Sequence, residues 1–193
     1  MAVVTNSHTV AGYLDSFGAR YKRVSDTVTL FGFSVDSHFY KASLPVEIRT
    51  SVQWVTFRAL IVNNLSGPEA LAVALYLGYL NSQCRGARYS IQDGNVLITT
   101  EVHVSRLSKE TFAEALSAMI SSAAETTVNL RVLATNPQLA ALYIDLDSRG
   151  NGREQSRSMA PDDILIRFDL RPTGLEQLLK QEVTNTDDNE REQ

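Results

Sequence analysis

The sequence predicts an α+β fold: an antiparallel sheet with helices packed on it, in the order α-β-β-β-α-β-β-α. Three observations carry this. Within Ser51–Val62, Val52, Trp54 and Thr56 alternate with Val55, Phe57, Ala59 and Ile61, which is a strand pattern. Asp93-Gly94 separates two further strand-like runs, as in a hairpin with a tight turn. Helical segments precede and follow these runs instead of alternating with them, so helices and hairpins are segregated.

Thr5 or Ser7 caps a first helix ending near Phe17. Val10, Tyr13, Leu14 and Phe17 form its apolar stripe, and Gly18 ends it. Strand pattern then covers Val28 to Val35, with Gly32 at a register slip that suggests a bulge. A second strand spans Phe39–Ile48 and contains Pro45, which suggests a sheet edge or a break. The third is Ser51–Val62, and Asn63-Asn64 is a turn signal.

Ser66-Gly67-Pro68-Glu69 reads as a capping box with proline in the first turn. It opens a helix over Pro68–Ser82, which is uncharged and apolar all round from Ala70 to Leu80. A helix apolar on every face is expected to be buried on every face. It is too short to span a bilayer, which takes roughly 20 apolar residues. One side suits the chain's own sheet, and the other needs a cover that a second copy would supply. Ala87–Gln92 and Asn95–Ser105 form the hairpin, the latter with Val96, Ile98, Thr100, Val102 and Val104 on one face. Ser108 caps a helix over Lys109–Leu133, striped by Phe112, Leu116, Met119, Ile120 and Ala123. Pro137–Asp145 adds a further helical turn or two.

The chain has 193 residues, which suits one domain, residues 1–147, and an extension, 148–193. Ser148–Pro161 reads as a linker. Asp163–Leu170 alternates briefly through Ile164, Ile166 and Phe168, and Gly174–Val183 suits a short helix. Thr184–Gln193 is acidic and polar, and reads as disordered. The charge balance is 18 − 22 = −4, with no basic stripe for nucleic acid. Cys84 is the single cysteine, so no internal disulfide forms, and a reducing cytoplasm is expected. No signal-peptide pattern or membrane-spanning run is present, so no membrane association is expected.

This order of elements, with an uncharged second helix and a Ser-capped third, resembles the YbjN family of bacterial proteins. That family looks structurally like class I type III secretion chaperones. The resemblance covers about Thr5–Leu133. It rests on Tyr13, Leu14 and Phe17, on Trp54–Val62, on Pro68–Leu80 with its Tyr79-Leu80-Asn81 end, and on Val96–Ala123 after the Asp93-Gly94 turn. It implies a small dimeric binding protein with chaperone-like or regulatory roles and brings no catalytic residues.

The residues themselves point to no chemistry. There is no G-x-S-x-G turn, and His8, His38 and His103 lack the spacing of a zinc site. Asp145 and Asp147 with Gly150 imitate the start of a calcium loop. Arg149 at position five and Ser156 at position twelve break that pattern, so a helix end running into a loop explains it better. Arg149, Arg153 and Arg157 read as a soluble linker. No cofactor or metal is expected. The expected function is a non-enzymatic protein-binding module acting as a homodimer. Leu71, Leu75, Leu77 and Tyr79 are its expected dimer interface. Phe31, Phe33, Trp54, Ile164, Ile166 and Phe168 are expected to hold an unidentified protein partner. The alternatives are a regulator docking through its C-terminal tail, or an enzyme with a pocket on the sheet.

Overall fold

The structure, a computed structural model, describes residues 7–37, 40–83, 86–150 and 165–169. Helix α1 (Ser7–Ser16) ends as foreseen at Gly18, which adopts φ +67°. Gly18 and Ala19 donate their N–H groups to the carbonyls of Asp15 and Leu14, both at 3.0 Å, closing the helix in a Schellman arrangement. A three-residue strand that sequence reading missed, β1 (Tyr21–Arg23), follows. Then come β2 (Val28–Ser37), β3 (Tyr40–Thr50), β4 (Trp54–Val62) and helix α2 (Gly67–Gln83). The β5 (Arg88–Gln92) and β6 (Asn95–His103) hairpin leads through a 3-10 turn to α3 (Lys109–Leu133) and α4 (Ala140–Gly150). The final described strand is β7 (Leu165–Asp169).

The sheet order is β1-β2-β3-β4-β6-β5, and β7 also pairs with β2. Every described pairing is antiparallel, and the fold is α+β. β1 lies against Thr29–Phe31 and β7 against Gly32–Asp36, so the two share one edge of β2. Pro45 neither breaks β3 nor ends it. The Ser37–Tyr40 pair closes the β2–β3 hairpin, so by alternation position 45 directs its backbone away from β2 and toward β4. The β3–β4 ladder covers only Val46–Thr50, so the missing N–H falls where β3 has no partner on that side.

One sheet face carries the core. Phe112 of α3 sits at its centre, 4.9 Å from the Phe57 ring, 5.2 Å from Tyr13 and 6.3 Å from Phe17. This aromatic cluster ties α1 and α3 to β4. Ser108 caps α3: it accepts from the Thr111 N–H, and Thr111 Oγ1 accepts from the Ser108 N–H. Asn81 holds α2 to β5 by donating to the Tyr89 carbonyl at 2.9 Å and accepting the Tyr89 N–H at 2.8 Å.

Helix α2 corrects the expectation that it is buried all round. Ala72, Val73, Tyr76, Leu77 and Leu80 face inward, while Leu71 and Leu75 are 65% and 57% exposed. Asp145–Gly150 belongs to α4, so that helix runs three residues past the expected domain end at 147. Asp145 pairs with Arg149 one turn later at 2.9 Å, and Asp147 accepts from Tyr76, so both carboxylates serve the helix. Leu165–Asp169, expected in a tail, is a strand of the sheet. Cys84, His38, Phe39, Ile164 and 170–193 lie outside the described residues.

Candidate functional site

A concave surface lies at the far end of β6. The Asp93-Gly94 turn has positive φ at both positions, +50° and +73°, as a two-residue hairpin turn requires. Its flanking pair, Gln92–Asn95, is therefore hydrogen-bonded, and the alternation along β6 follows from it. Asn95, Leu97, Thr99, Glu101 and His103 direct their backbone groups to the β5 side. The even-numbered residues face β4, in accord with Val104 donating to the Gln53 carbonyl at 2.8 Å.

β5 covers this edge only as far as the Arg88–Thr99 pair. Gly86, at φ +94°, lies beside α3, where an added Cβ would stand 3.9 Å from the Ala118 Cβ. Among the described residues no strand pairs with Glu101 or His103 on that side. Their N–H groups, and the Glu101 carbonyl, face a cleft instead.

Two adjoining hollows of about 730 and 760 Å³ make up the cleft, sharing Trp54, Gly86, Thr100 and Glu101. One wall is Trp54 with His103 and Glu101. The other is the first half of α3, through Thr111, Glu114, Ala115 and Ala118. Trp54 is 41% exposed, and its ring meets His103 edge-on at 4.9 Å. His103 Nδ1 accepts the Ser105 N–H at 3.2 Å and lies 2.7 Å from Ser105 Oγ, which fixes the ring. Thr56 donates to Glu101 Oε1 at 3.3 Å, and Thr100 donates to the Ala115 carbonyl at 3.3 Å. The site thus offers main-chain donors and an acceptor, an aromatic shelf and a small-residue wall.

Among the described residues no three His, Cys, Asp or Glu side chains are grouped to hold a metal. Among the described residues the most perturbed titratable side chain is elsewhere. Tyr76 is buried, donates to Asp147 Oδ2 at 2.6 Å and accepts from Asn129 Nδ2 at 3.0 Å. Burial first, and then the hydrogen bond to Asp147, push its phenol well above the ordinary value near 10. This network pins α4 and α3 to α2.

The residues expected to bind are scattered. Trp54 lies in the cleft. Phe31 and Phe33 do not form a surface strip: both are in the core, because their strand positions face the helices. Ile166 and Phe168 stand opposite Val35 and Phe33 in the β2–β7 ladder, so their strand is docked on this chain. Of the expected dimer interface, Leu71 and Leu75 are exposed, Tyr79 is half-buried, and Leu77 is a core residue that no partner can reach in the folded chain. Leu142 and Leu146, one turn apart on α4, are also exposed. Sequence reading missed the cleft itself. Its signal was weak: a hairpin whose second strand, Asn95–His103, is longer than its first, Arg88–Gln92.

No family model matches the sequence, and no curated protein matches it. Among solved structures, the chain is similar to the crystal structure of YbjN from E. coli, described as a candidate transcription regulator. The match has 14% identity and a TM-score of 0.48, and covers 67% of this chain and 96% of that one. Among the described residues no helix is long and apolar enough to cross a membrane.

Proposed function

We propose that the chain is a non-catalytic binding module that takes up an extended partner segment by strand addition along Thr100–His103. The observation that carries this reading is the direction of the Glu101 and His103 backbone groups into a cleft beside an exposed tryptophan. A strand added there meets alternating walls. Side chains on one of its faces reach Trp54 and His103, which suits an aromatic or long aliphatic residue. Those on the other face reach Ala115 and Ala118, which suits a small one. Four residues of edge, about 13 Å at the usual rise, select a short motif. A regulatory role suits the same surface, because capturing a strand can control the protein that carries it.

His103 provides the test. Its backbone, at φ −67° and ψ 134°, already suits proline, and Val102 before it is in a strand. His103→Pro therefore removes the partner-facing N–H while the β4 ladder stays intact. His103→Ala removes the same ring and keeps the N–H. A displayed library of random 12-residue peptides supplies a ligand, and titration compares the variants. His103→Pro should bind about 2- to 10-fold more weakly than His103→Ala, the value of one hydrogen bond. Equal affinities would refute strand addition.

Self-association is a second reading, supported by Leu71 and Leu75. They lie one turn apart on an uncharged stretch of helix, a self-complementary arrangement for a two-fold dimer.

A further inference from the structure

The centre of the sheet face opposite the helices is dry although no described helix lies on it. Strand alternation places Val28, Leu30, Pro45, Glu47, Leu60 and Leu97 on this side. Leu97 is 0% exposed, and Leu30, Glu47 and Leu60 are 2%, 2% and 4% exposed. Leu60 and Leu97 pair across β4 and β6 and form an apolar cluster separate from the main core. Glu47 accepts from Arg49 Nε at 3.2 Å. Arg58 donates to Gln92 at 2.7 Å beside the patch. Such side chains rim a sheet face, but sealing its leucines takes a second layer.

We infer that this layer is the chain's own C-terminal segment, with Leu175, Leu178, Leu179 and Val183 seated on the Leu30–Leu60–Leu97 patch. Three observations choose this occupant over any other. The first is the path of the chain. β7 runs antiparallel to β2 and ends with Asp169 opposite Gly32. The next positions of that edge, Thr29–Phe31, are taken by β1, and α1 packs on the helix side there. The chain must leave the edge, and the open side is the face with the dry patch. The second is reach and pattern. Residues 170–173 span about 13 Å extended, enough to clear the edge strand. Leu175, Leu178, Leu179 and Val183 follow at i, i+3, i+4 and i+8, one stripe of a helix. Ten helical residues, about 15 Å long, cross three strand spacings. The third is charge. Among the described side chains, Lys22, Arg49, Arg58 and Arg88 outnumber Glu47 and Glu101 on this face, by register. Residues 174–193 carry six acidic side chains against Lys180 and Arg191, 2 − 6 = −4.

The test uses the full chain with methyl-labelled leucine. Nuclear Overhauser contacts from the Leu60 and Leu97 methyls to those of Leu175, Leu178 or Leu179 are expected. Their absence would overturn the assignment. Contacts appearing only between differently labelled copies would also overturn it, making a second chain the cover. A second readout is trypsin cleavage after Lys180. Leu175→Asp, five residues before the cut, should be cleaved about 10-fold faster or more than the unsubstituted chain, because cleavage follows opening of the segment. Equal rates would contradict the proposal.

Discussion

Replacing Tyr76 by phenylalanine isolates the contact that fastens α4 to the body. The Tyr76 hydroxyl lies 2.6 Å from an Asp147 carboxylate oxygen and 3.0 Å from Asn129 Nδ2, and the residue is 1% exposed. The ring fills the same space in phenylalanine, so no cavity opens. The loss is one hydrogen bond to a charged group and the stranding of the Asn129 donor, together about 2 kcal/mol near neutral pH. The pH dependence has a definite sign. Burial and the Asp147 bond raise the phenol's pKa above 10 in the folded chain. The unfolded chain ionises near pH 10 while the native state resists. The stabilisation is therefore complete below pH 10 and is lost as pH rises beyond it, by at most about 1.4 kcal/mol per pH unit. Urea unfolding of both proteins from pH 7 to 11 measures this. The difference between them should be flat up to pH 10 and then shrink. A difference that stays constant through pH 11, or is absent at pH 7, would refute the reasoning.

Phe112→Ala should cost about 3–5 kcal/mol in the same assay, because a fully buried ring joining three elements is removed. A loss under 1 kcal/mol would mean that the aromatic cluster does not hold α1 and α3. Gly94→Ala should cost more than Gly18→Ala. Both have φ near +70°, worth about 1–2 kcal/mol to a side chain, but only at Gly94 would a Cβ stand 2.8 Å from the Leu65 carbonyl oxygen. Equal costs would contradict that contact. Leu71→Asp with Leu75→Asp should change monomer stability by less than about 1 kcal/mol, since both sites are exposed. Light scattering should report a shift from dimer to monomer if α2 is the self-association face. An unchanged dimer excludes that face.

Legibility in the sequence followed how local each cause is. α3 was readable to both ends because a Ser108 cap and a 3.6-residue stripe are short-range signals. The Asp93-Gly94 hairpin was readable because two positive φ angles need those residue types. In α2 the uniform apolarity that announced a helix also hid its orientation, so Leu77 and Leu75 looked alike although one is core and one is surface. Phe31 and Phe33 misled for the converse reason. Alternation tells that residues share a face, not which face meets the helices. β1 and β7 depend on long-range pairing with β2, and Tyr21-Lys22-Arg23 carries no strand signal of its own. The last turn of α4 was misread from its loop-like composition, although Asp145 and Arg149 stood at ion-pair spacing. The cleft at β6 was hidden because it arises from a difference in strand length and from the placement of Gly86 beside α3.

The strand-addition account is tested most directly by amide hydrogen exchange at Glu101 and His103. The measurement uses nitrogen-labelled protein with and without a peptide selected from the displayed library. The account predicts that these two amides become protected on binding, while Thr100 and Val102, already bonded to β4, change little. Protection that leaves Glu101 and His103 untouched and maps to Leu71 and Leu75 would contradict it.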